Sequence, residues 1–600
     1  MAEATINATF KASVEAQGAK AALSRKVDGT YQDISYDELG TQVKEFALGL
    51  LQLGVSKGDR VGLLSENCPE WAITDLATLG AGAVDVPMFP TLTSAQVEYI
   101  LRDSSAKLVC VSDAKQLEKV KAFSENVSSL EQVVVFDGED VELSDSIHTF
   151  DAVREMGRAV ESGDEVYWES SEGVTPDDVA TIIYTSGTTG DPKGAVLTHN
   201  NFMSNVGACQ QIVDFTGDDV FLSFLPLSHV FERMGGHYLP LACGATIAYA
   251  ESPFTVRQNM GEVRPTVMLS VPRLYETMHE RILSSVREGS AIKQKLFHWS
   301  VGVGSQVSTA IQEDKVPSGI LKLKAGIADK LVFQKLKAIT GGRLRFFVSG
   351  GAALPKSIAE FFHAAGILIL EGYGLTETSP VISVNRPDKW KFGTVGTPVP
   401  GVEVKIAEDD EILSRGPHIM KGYFNKPEET AEVIGEDGWF HTGDIGMIDE
   451  DGFVKITDRK KNIIVLSNGK NVSPQPIESQ LVQSRYINQV ILLGDQRKSI
   501  TALIVPSFDA LKEYAEAENL DAEDPAALIE TQEVQRLIRN EINSLQADFA
   551  DFERVRMFKL LDREFTQEND EMTPTLKLKR RVILEHFKEQ IEQMYGDEEE

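Results

Sequence analysis

The sequence predicts an α/β protein: a large, multi-lobed amino-terminal domain of βαβ sheets, followed by a smaller, mobile α+β domain. Three observations predict it. In the first third, strand-like and helix-like strings alternate, as in RVGLLSE (60–66), CPEWAITDLATLGAGAV (68–84) and AKLVCVSD (106–113), and that rhythm marks parallel βαβ units. The same rhythm returns in LRFFVSGGAALPKSIAEFFHAAGILILEGYG (344–374), so at least two parallel-sheet lobes are expected in the first ~450 residues. Near Asp451 the pattern changes to the alternation and turn residues of short antiparallel strands, in DGFVKITDRKKNIIVLSNGKNVSP (451–474).

Taken in order, Thr93 and Gln96 have the spacing of a capping box and start a helix before VEYILRD. Thr181, Ile182 and Ile183 read as the end of a buried strand. Residues 281–340 read as polar helices, REGSAIKQKLFHWS and LKAGIADKLVFQKLKAI, broken near Pro317: an insertion on a shared core. A helix at PIESQLVQ and strands at QVILLG and ITALIVPS belong to the small domain. From Phe508 the chain reads as helical and acidic until EMTPTLKLKRRVI restores positive charge, and the GDEEE terminus reads as a solvated tail. The expected division is 1–457, a hinge at 458–463, and 464–600.

Composition narrows the partners. Hydrophobic residues make up 42% and charged residues 25%, the profile of a globular protein, and 600 residues suggest roughly four globular units. Fifty-nine basic against 91 acidic residues leave a net charge of -32, which repels nucleic acid phosphate and anionic lipid headgroups over most of the surface. Cys68, Cys110, Cys209 and Cys243 lack metal-ligand spacing and fit a reducing, cytoplasmic setting. The amino terminus lacks the pattern of a signal peptide and no apolar run is long enough to span a bilayer, so any membrane contact would be peripheral.

The most informative string is YTSGTTGDPKGAVLTHNN (184–201). Thr185, Ser186, Thr188 and Thr189 offer hydroxyls, Gly187, Gly190 and Gly194 free the backbone to aim amides at an anion, and Lys193 supplies a point charge. Such a loop can wrap phosphate. The Walker spacing is absent, because Lys193 follows Gly190 by three positions and precedes Gly194 rather than a hydroxyl residue, which disfavours an ordinary P-loop NTPase. A generic loop of this composition is more often a plain turn; the strings elsewhere in the chain change that balance.

Those strings are LPLSHVFERM (225–234), VPRLYE (271–276), SGGAALP (349–355), EGYGLTET (371–378), DGWFHTGD (437–444), DRKKNIIVLSNGKNVSP (458–474) and PTLKLKR (574–580). With the opening loop they span most of the chain, and in this order the chain resembles the adenylate-forming acyl-CoA synthetases, in particular the long-chain fatty acid CoA ligases. The resemblance implies a two-step reaction: a fatty acid carboxylate attacks the α-phosphate of ATP to give acyl-AMP and pyrophosphate, and the thiol of coenzyme A then displaces AMP. A carboxylate approaching a polyphosphate meets like charge, so cations and oriented dipoles are needed around it.

By the same resemblance, the opening loop and Lys193 hold the departing phosphates, Glu371 and Gly372 belong to the nucleotide site, Tyr373 stacks on adenine, and Thr376 meets the α-phosphate. Glu377 and Thr185 are the implied magnesium contacts, and Mg2+ suits few carboxylates plus phosphate oxygens. Gly351 and Ala352 let a flat purine approach the backbone. Asp444 binds ribose, Arg459 is a second ribose or phosphate contact, and His229 lines the acyl pocket. A general-base role for His229 is not needed, since a fatty acid is already ionised at neutral pH. Lys577 bridges the α-phosphate and the carboxylate; Leu576 stands where many members have glycine, and Lys579 competes for the role. Lys461 is the implied pivot, turning the small domain from Lys577 to the loop around Gly469 between half-reactions. An acyl carrier protein as acceptor, and a catalytically silent binding protein, are the rival readings; oligomeric state is left open.

Overall fold

The computed structural model describes residues 4–185, 191–313, 315–518, 520–521, 524–566, 568–572 and 578–596. Two large sheets dominate. In the first, six strands run parallel in the order Ile369–Gly374, Phe346–Ser349, Val267–Ser270, Val220–Ser223, Thr246–Tyr249 and Ala21–Val27, with antiparallel strands at both edges. In the second, Val179–Thr185, Val84–Met88, Arg60–Leu64, Leu108–Val111, Gln132–Val135 and Ile147–Thr149 are parallel, and Lys193–Thr198 turns back antiparallel to Val179–Thr185. Most strands buried on both faces read as largely apolar runs, as parallel sheets require, with Asp85 in Val84–Met88 an exception. The expected capping box is present: Thr93 and Gln96 exchange hydrogen bonds of 3.0 and 3.4 Å at the start of helix Ser94–Asp103.

Antiparallel pairing begins earlier in the chain than the change of pattern near Asp451. Glu403–Ile406, Glu411–Arg415, Phe440–Ile448 and Val454–Arg459 form a four-stranded antiparallel sheet, whose first strand is half exposed and carries little apolar contrast. Beyond it, Ile487–Leu493 and Ile500–Pro506 pair antiparallel over a separate apolar core with Ile477, Leu511 and Ile538. The all-helical reading after Phe508 is corrected by strand Val555–Leu560, which pairs parallel with Ile500–Pro506. Its string, VRMFKL, carries two basic residues and no clean alternation; pairing with a buried neighbour, rather than local pattern, makes it a strand. The 281–340 insertion is helical as expected, with helices Ala291–Gln312 and Gly319–Ala328 on either side of Pro317.

A buried charge cluster ties the two large sheets. Arg233, fully buried, extends from a π-helical turn, Arg233–Tyr238, that precedes strand Thr246–Tyr249 of the first sheet. Its guanidinium bonds to Asp75 and lies 2.8 Å from Asp85 and 2.8 Å from the Thr181 hydroxyl, all on elements of the second sheet. Burial pushes the Asp75 carboxyl up, but Arg233, His237 and Tyr238 outweigh it and hold it below its ordinary range. At Asp85 burial prevails despite Arg233, and the carboxyl is pushed up to about 8. Arg233→Met leaves Asp75 buried without its cation and is expected to cost about 3–5 kcal/mol in urea unfolding; a loss below about 1 kcal/mol would show that the cluster does not govern stability.

Candidate active site

The carboxyl end of strand Ile369–Gly374 meets the edge of the second sheet through Glu377 and Tyr423 and the four-stranded sheet through Tyr373 and Asp444, at the strand ends where open α/β sheets place ligands. Strand Val179–Thr185 ends at Thr185, whose neighbour across the ladder is Lys193; the Thr185 hydroxyl donates to the Lys193 carbonyl at 3.3 Å. Ser186, Gly187, Thr188 and Thr189 lie outside the described residues. A Cβ on Gly194 would sit 2.6 Å from Ile182, so the close return of the loop to its parent strand requires glycine there.

Strand Lys193–Thr198 also packs against the short turn Thr376–Thr378 that follows strand Ile369–Gly374. Thr376 and Glu377 are both partly exposed on that turn. The Tyr423 hydroxyl donates to Glu377 Oε1 at 2.8 Å, and the Lys193 ammonium lies 5.1 Å from the centre of the Tyr423 ring. Burial, and then the Glu377 charge, hold the Tyr423 hydroxyl protonated far above its ordinary value, which makes it a fixed donor. Lys193, Tyr423 and Glu377 thus form a row of cation, ring and carboxylate. The Glu377 carboxylate and the Thr185 hydroxyl are hard oxygen donors of the kind Mg2+ shares with phosphate and water; among the described residues no cluster of three metal-ligating side chains exists.

The second group is built by the antiparallel ladder. Asp444 and Arg459 are direct partners across strands Phe440–Ile448 and Val454–Arg459, and so share a face. Asp444 is 4% exposed; Oδ1 lies 2.9 Å from Arg459 Nε and Oδ2 accepts the Tyr373 hydroxyl at 2.6 Å. Each oxygen keeps a lone pair for a vicinal hydroxyl. Tyr373 packs with Ile382, Ile412 and Val454, and its hydroxyl seats Asp444. Asp458 is fully buried and accepts the Gln475 N–H at 3.0 Å, across the exposed Lys460–Asn462 turn that carries Lys461. That single bond joins the last strand of the large domain to the first helix of the small one.

Gly351, with φ +81°, and Ala352 are exposed at the end of strand Phe346–Ser349. Beside them, a Cβ on Gly350 would lie 3.1 Å from the Phe231 ring. Phe231 in turn lines an apolar cavity of about 50 Å³ with Phe221, Met234, Val348, Leu370 and Val381. His229 caps the turn before Phe231, accepting its N–H at 3.3 Å. Glu232 is 1% exposed, its carboxyl pushed up to about 8 by burial, and it lies over Gly236, where a Cβ would meet it at 2.5 Å. Glu371 is likewise buried and pushed up to about 8, the Gly393 N–H opposing the shift only in part. Gly372 pairs with Val384 at the same strand end. Lys577 lies outside the described residues; Lys579 is committed to Asp570.

A family model described as AMP-binding enzyme matches residues 10–424, and a second, described as AMP-binding enzyme C-terminal domain, matches 461–599. The chain belongs to the AMP-binding enzyme family. Among curated relatives of this AMP-binding enzyme, long-chain-fatty-acid–CoA ligase FadD15 of Mycobacterium bovis is 34% identical over 96% of this chain and 94% of its own length. The peroxisomal long chain acyl-CoA synthetase 7 of Arabidopsis thaliana is 34% identical over 99% of this chain and 86% of its own. Solved structures share the fold: the adenylation domain of a carboxylate reductase from Mycobacterium chelonae has a TM-score of 0.76 at 23% identity, covering 99% of this chain and 91% of that one. An anthranilate CoA ligase in complex with anthranoyl-AMP has a TM-score of 0.73 at 20% identity, covering 97% and 96%.

Tyr423 and Asp458 went unread as site residues of this AMP-binding enzyme. Tyr423 sits in KGYFNKP, more than two hundred residues after Lys193, and only the pairing of Gly422–Tyr423 with Lys193–Thr198 brings it in. Asp458 was visible only as one charge in DRKK. For Glu371 the raised carboxyl has a definite sign: the folded state prefers the neutral acid, so its contribution to stability is complete below the unfolded pKa of ~4.3 and is lost as pH rises through about 8. Glu371→Gln is therefore expected to flatten the decline of melting temperature between those pH values; an unchanged slope would show that Glu371 is ionised in the fold.

Proposed function

We propose that this enzyme is a long-chain fatty acyl-CoA ligase of the cytoplasm, converting a fatty acid, ATP and coenzyme A to acyl-CoA, AMP and pyrophosphate. The observation that carries this reading is the Phe231 ring, which lines an apolar cavity on one side and abuts Gly350 on the other, beside the proposed purine turn. An acyl chain in that cavity would bring its carboxylate toward the nucleotide site. Its volume, about 50 Å³, holds only a few waters, so a long chain requires the lining side chains to move. The relatives' names, over nearly full length, support the acid and the acceptor.

In the first step a carboxylate oxygen bonds to the α-phosphorus while the bond to pyrophosphate breaks; in the second, the thiol sulfur bonds to the acyl carbon and AMP leaves. No base is needed for the first step. Lys193 offsets charge on the departing phosphates and Thr376 donates to the α-phosphate. Asp444, seated by Tyr373 and Arg459, receives the ribose hydroxyls. Mg2+, held by Glu377 with Thr185, would neutralise phosphate charge when bound. Lys577 serves adenylation, and rotation about the 458–463 turn, with Lys461 as pivot, withdraws it for thioester formation.

Two measurements test this. Lys577→Ala is expected to lose palmitate-dependent pyrophosphate exchange by at least about a hundredfold while still converting preformed acyl-AMP with coenzyme A; equal loss of both half-reactions would overturn the alternation. Val348→Phe, which fills the cavity, is expected to shift AMP release from palmitate toward shorter acids. Unchanged selectivity would place the acyl chain elsewhere.

A further inference from the structure

The helical insertion carries an apolar stripe that no other element covers among the described residues. Helix Gly319–Ala328 and the π-helical turn Asp329–Phe333 that extends it direct Leu321, Ala325, Ala328 and Val332 inward, into a small core with Val303 and Ala365. On the opposite side Ile320, Leu323, Ile327 and Leu331 are 72%, 68%, 45% and 44% exposed. At helical spacing these four fall within an arc of ~80°, so they make one stripe rather than scattered contacts. A helix apolar on two opposite faces needs a second apolar phase, and this fold supplies only one.

Charge indicates which phase. The chain as a whole carries -32, yet residues 315–337 hold six lysines against a single acid, Asp329. Lys337 is paired with Asp329 and Lys315 with Glu313. Lys322, Lys324, Lys330 and Lys335 are exposed and make no salt bridge among the described residues. The stems of Lys322 and Lys330 line a shallow groove of about 400 Å³ with Leu323, Gly326, Ile327 and Leu331, the arrangement by which a long cationic side chain lies along apolar surface with its head at a polar boundary.

We propose that this stripe docks the enzyme onto an anionic lipid surface, the four aliphatic side chains entering the headgroup–acyl boundary and the lysines meeting lipid phosphates. Among the described residues no helix is long and apolar enough to cross a membrane, so docking is from one side. A second copy of the chain fits less well, because two such faces would oppose lysine to lysine. The acidic remainder of the surface is repelled by the same lipids, which orients the insertion toward them. What the surface delivers, a lipid-dissolved acid, rests on the ligase reading; the docking does not.

Flotation of the full chain with vesicles of phosphatidylcholine, alone or mixed with phosphatidylglycerol, tests this without turnover. Wild type is expected to float with the anionic vesicles, more weakly with neutral ones, and less as salt rises. Leu323→Gln with Ile327→Gln should abolish flotation, and Lys322→Gln, Lys324→Gln and Lys330→Gln together should lower partitioning about a hundredfold, near fivefold per lysine. Both variants should keep the melting temperature, since all five positions are exposed. The proposal is overturned if wild type does not float, if the variants float as well as wild type, or if Leu323→Gln with Ile327→Gln instead dissociates a dimer while flotation persists. Flotation by a protein that releases no AMP with any acid would sustain the docking face and remove the ligase reading.

Discussion

A guanidinium with no access to water fixes how the two large sheets meet. Arg233 must find compensating charge or remain an unpaired buried cation, and Asp75 and Asp85 stand on the second sheet's elements to receive it. The geometry is over-determined: Thr181 donates to the Asp85 carbonyl at 2.7 Å while receiving Arg233, and the Tyr238 hydroxyl bridges Arg233 and Asp75. A pair of apolar sheet faces can slide, because burial is non-directional; a hydrogen-bonded charge cluster between them has one register.

The position of the cleft follows from that register. Thr181 lies on the strand that ends at Thr185, and Arg233 lies two residues beyond Phe231, so the same cluster sets that strand end and the wall of the apolar cavity. The π-helical turn that begins at Arg233 also places Glu232 over Gly236; such turns re-aim side chains by widening the helix, often where function needs it. The polar row from Lys193 to Glu377 and the seated Asp444 are linked through Arg459, whose guanidinium feels the charge of both Asp444 and Glu377.

Two apolar regions of the molecule differ in form. The cavity beside Phe231 is enclosed and small, whereas the stripe on the insertion is open and flanked by lysine. The distance between them along the chain, nearly a hundred residues, is bridged by helices packed on the first sheet, such as Pro272–Arg287, whose Tyr275 and Ile282 share a core with Phe347.

The sequence alone was enough to establish the α/β class, the capping box at Thr93, the helical insertion, and the strings whose order resembles one family. Those features are local: a strand's apolar run, a capping residue three positions before its partner, and a loop's hydroxyls are all visible within a few residues. Tertiary structure decided what depends on distant partners. The strand Val555–Leu560 exists because Ile500–Pro506 offers it a ladder; Tyr423 reaches Glu377 because Gly422–Tyr423 joins the edge of the second sheet; the Glu232 and Glu371 carboxyls are pushed up because the fold removes their water. Ile320, Leu323, Ile327 and Leu331 lie in a segment that reads as polar helix in the sequence, because interleaved lysines mask the apolar stripe, and periodicity does not show whether anything covers it.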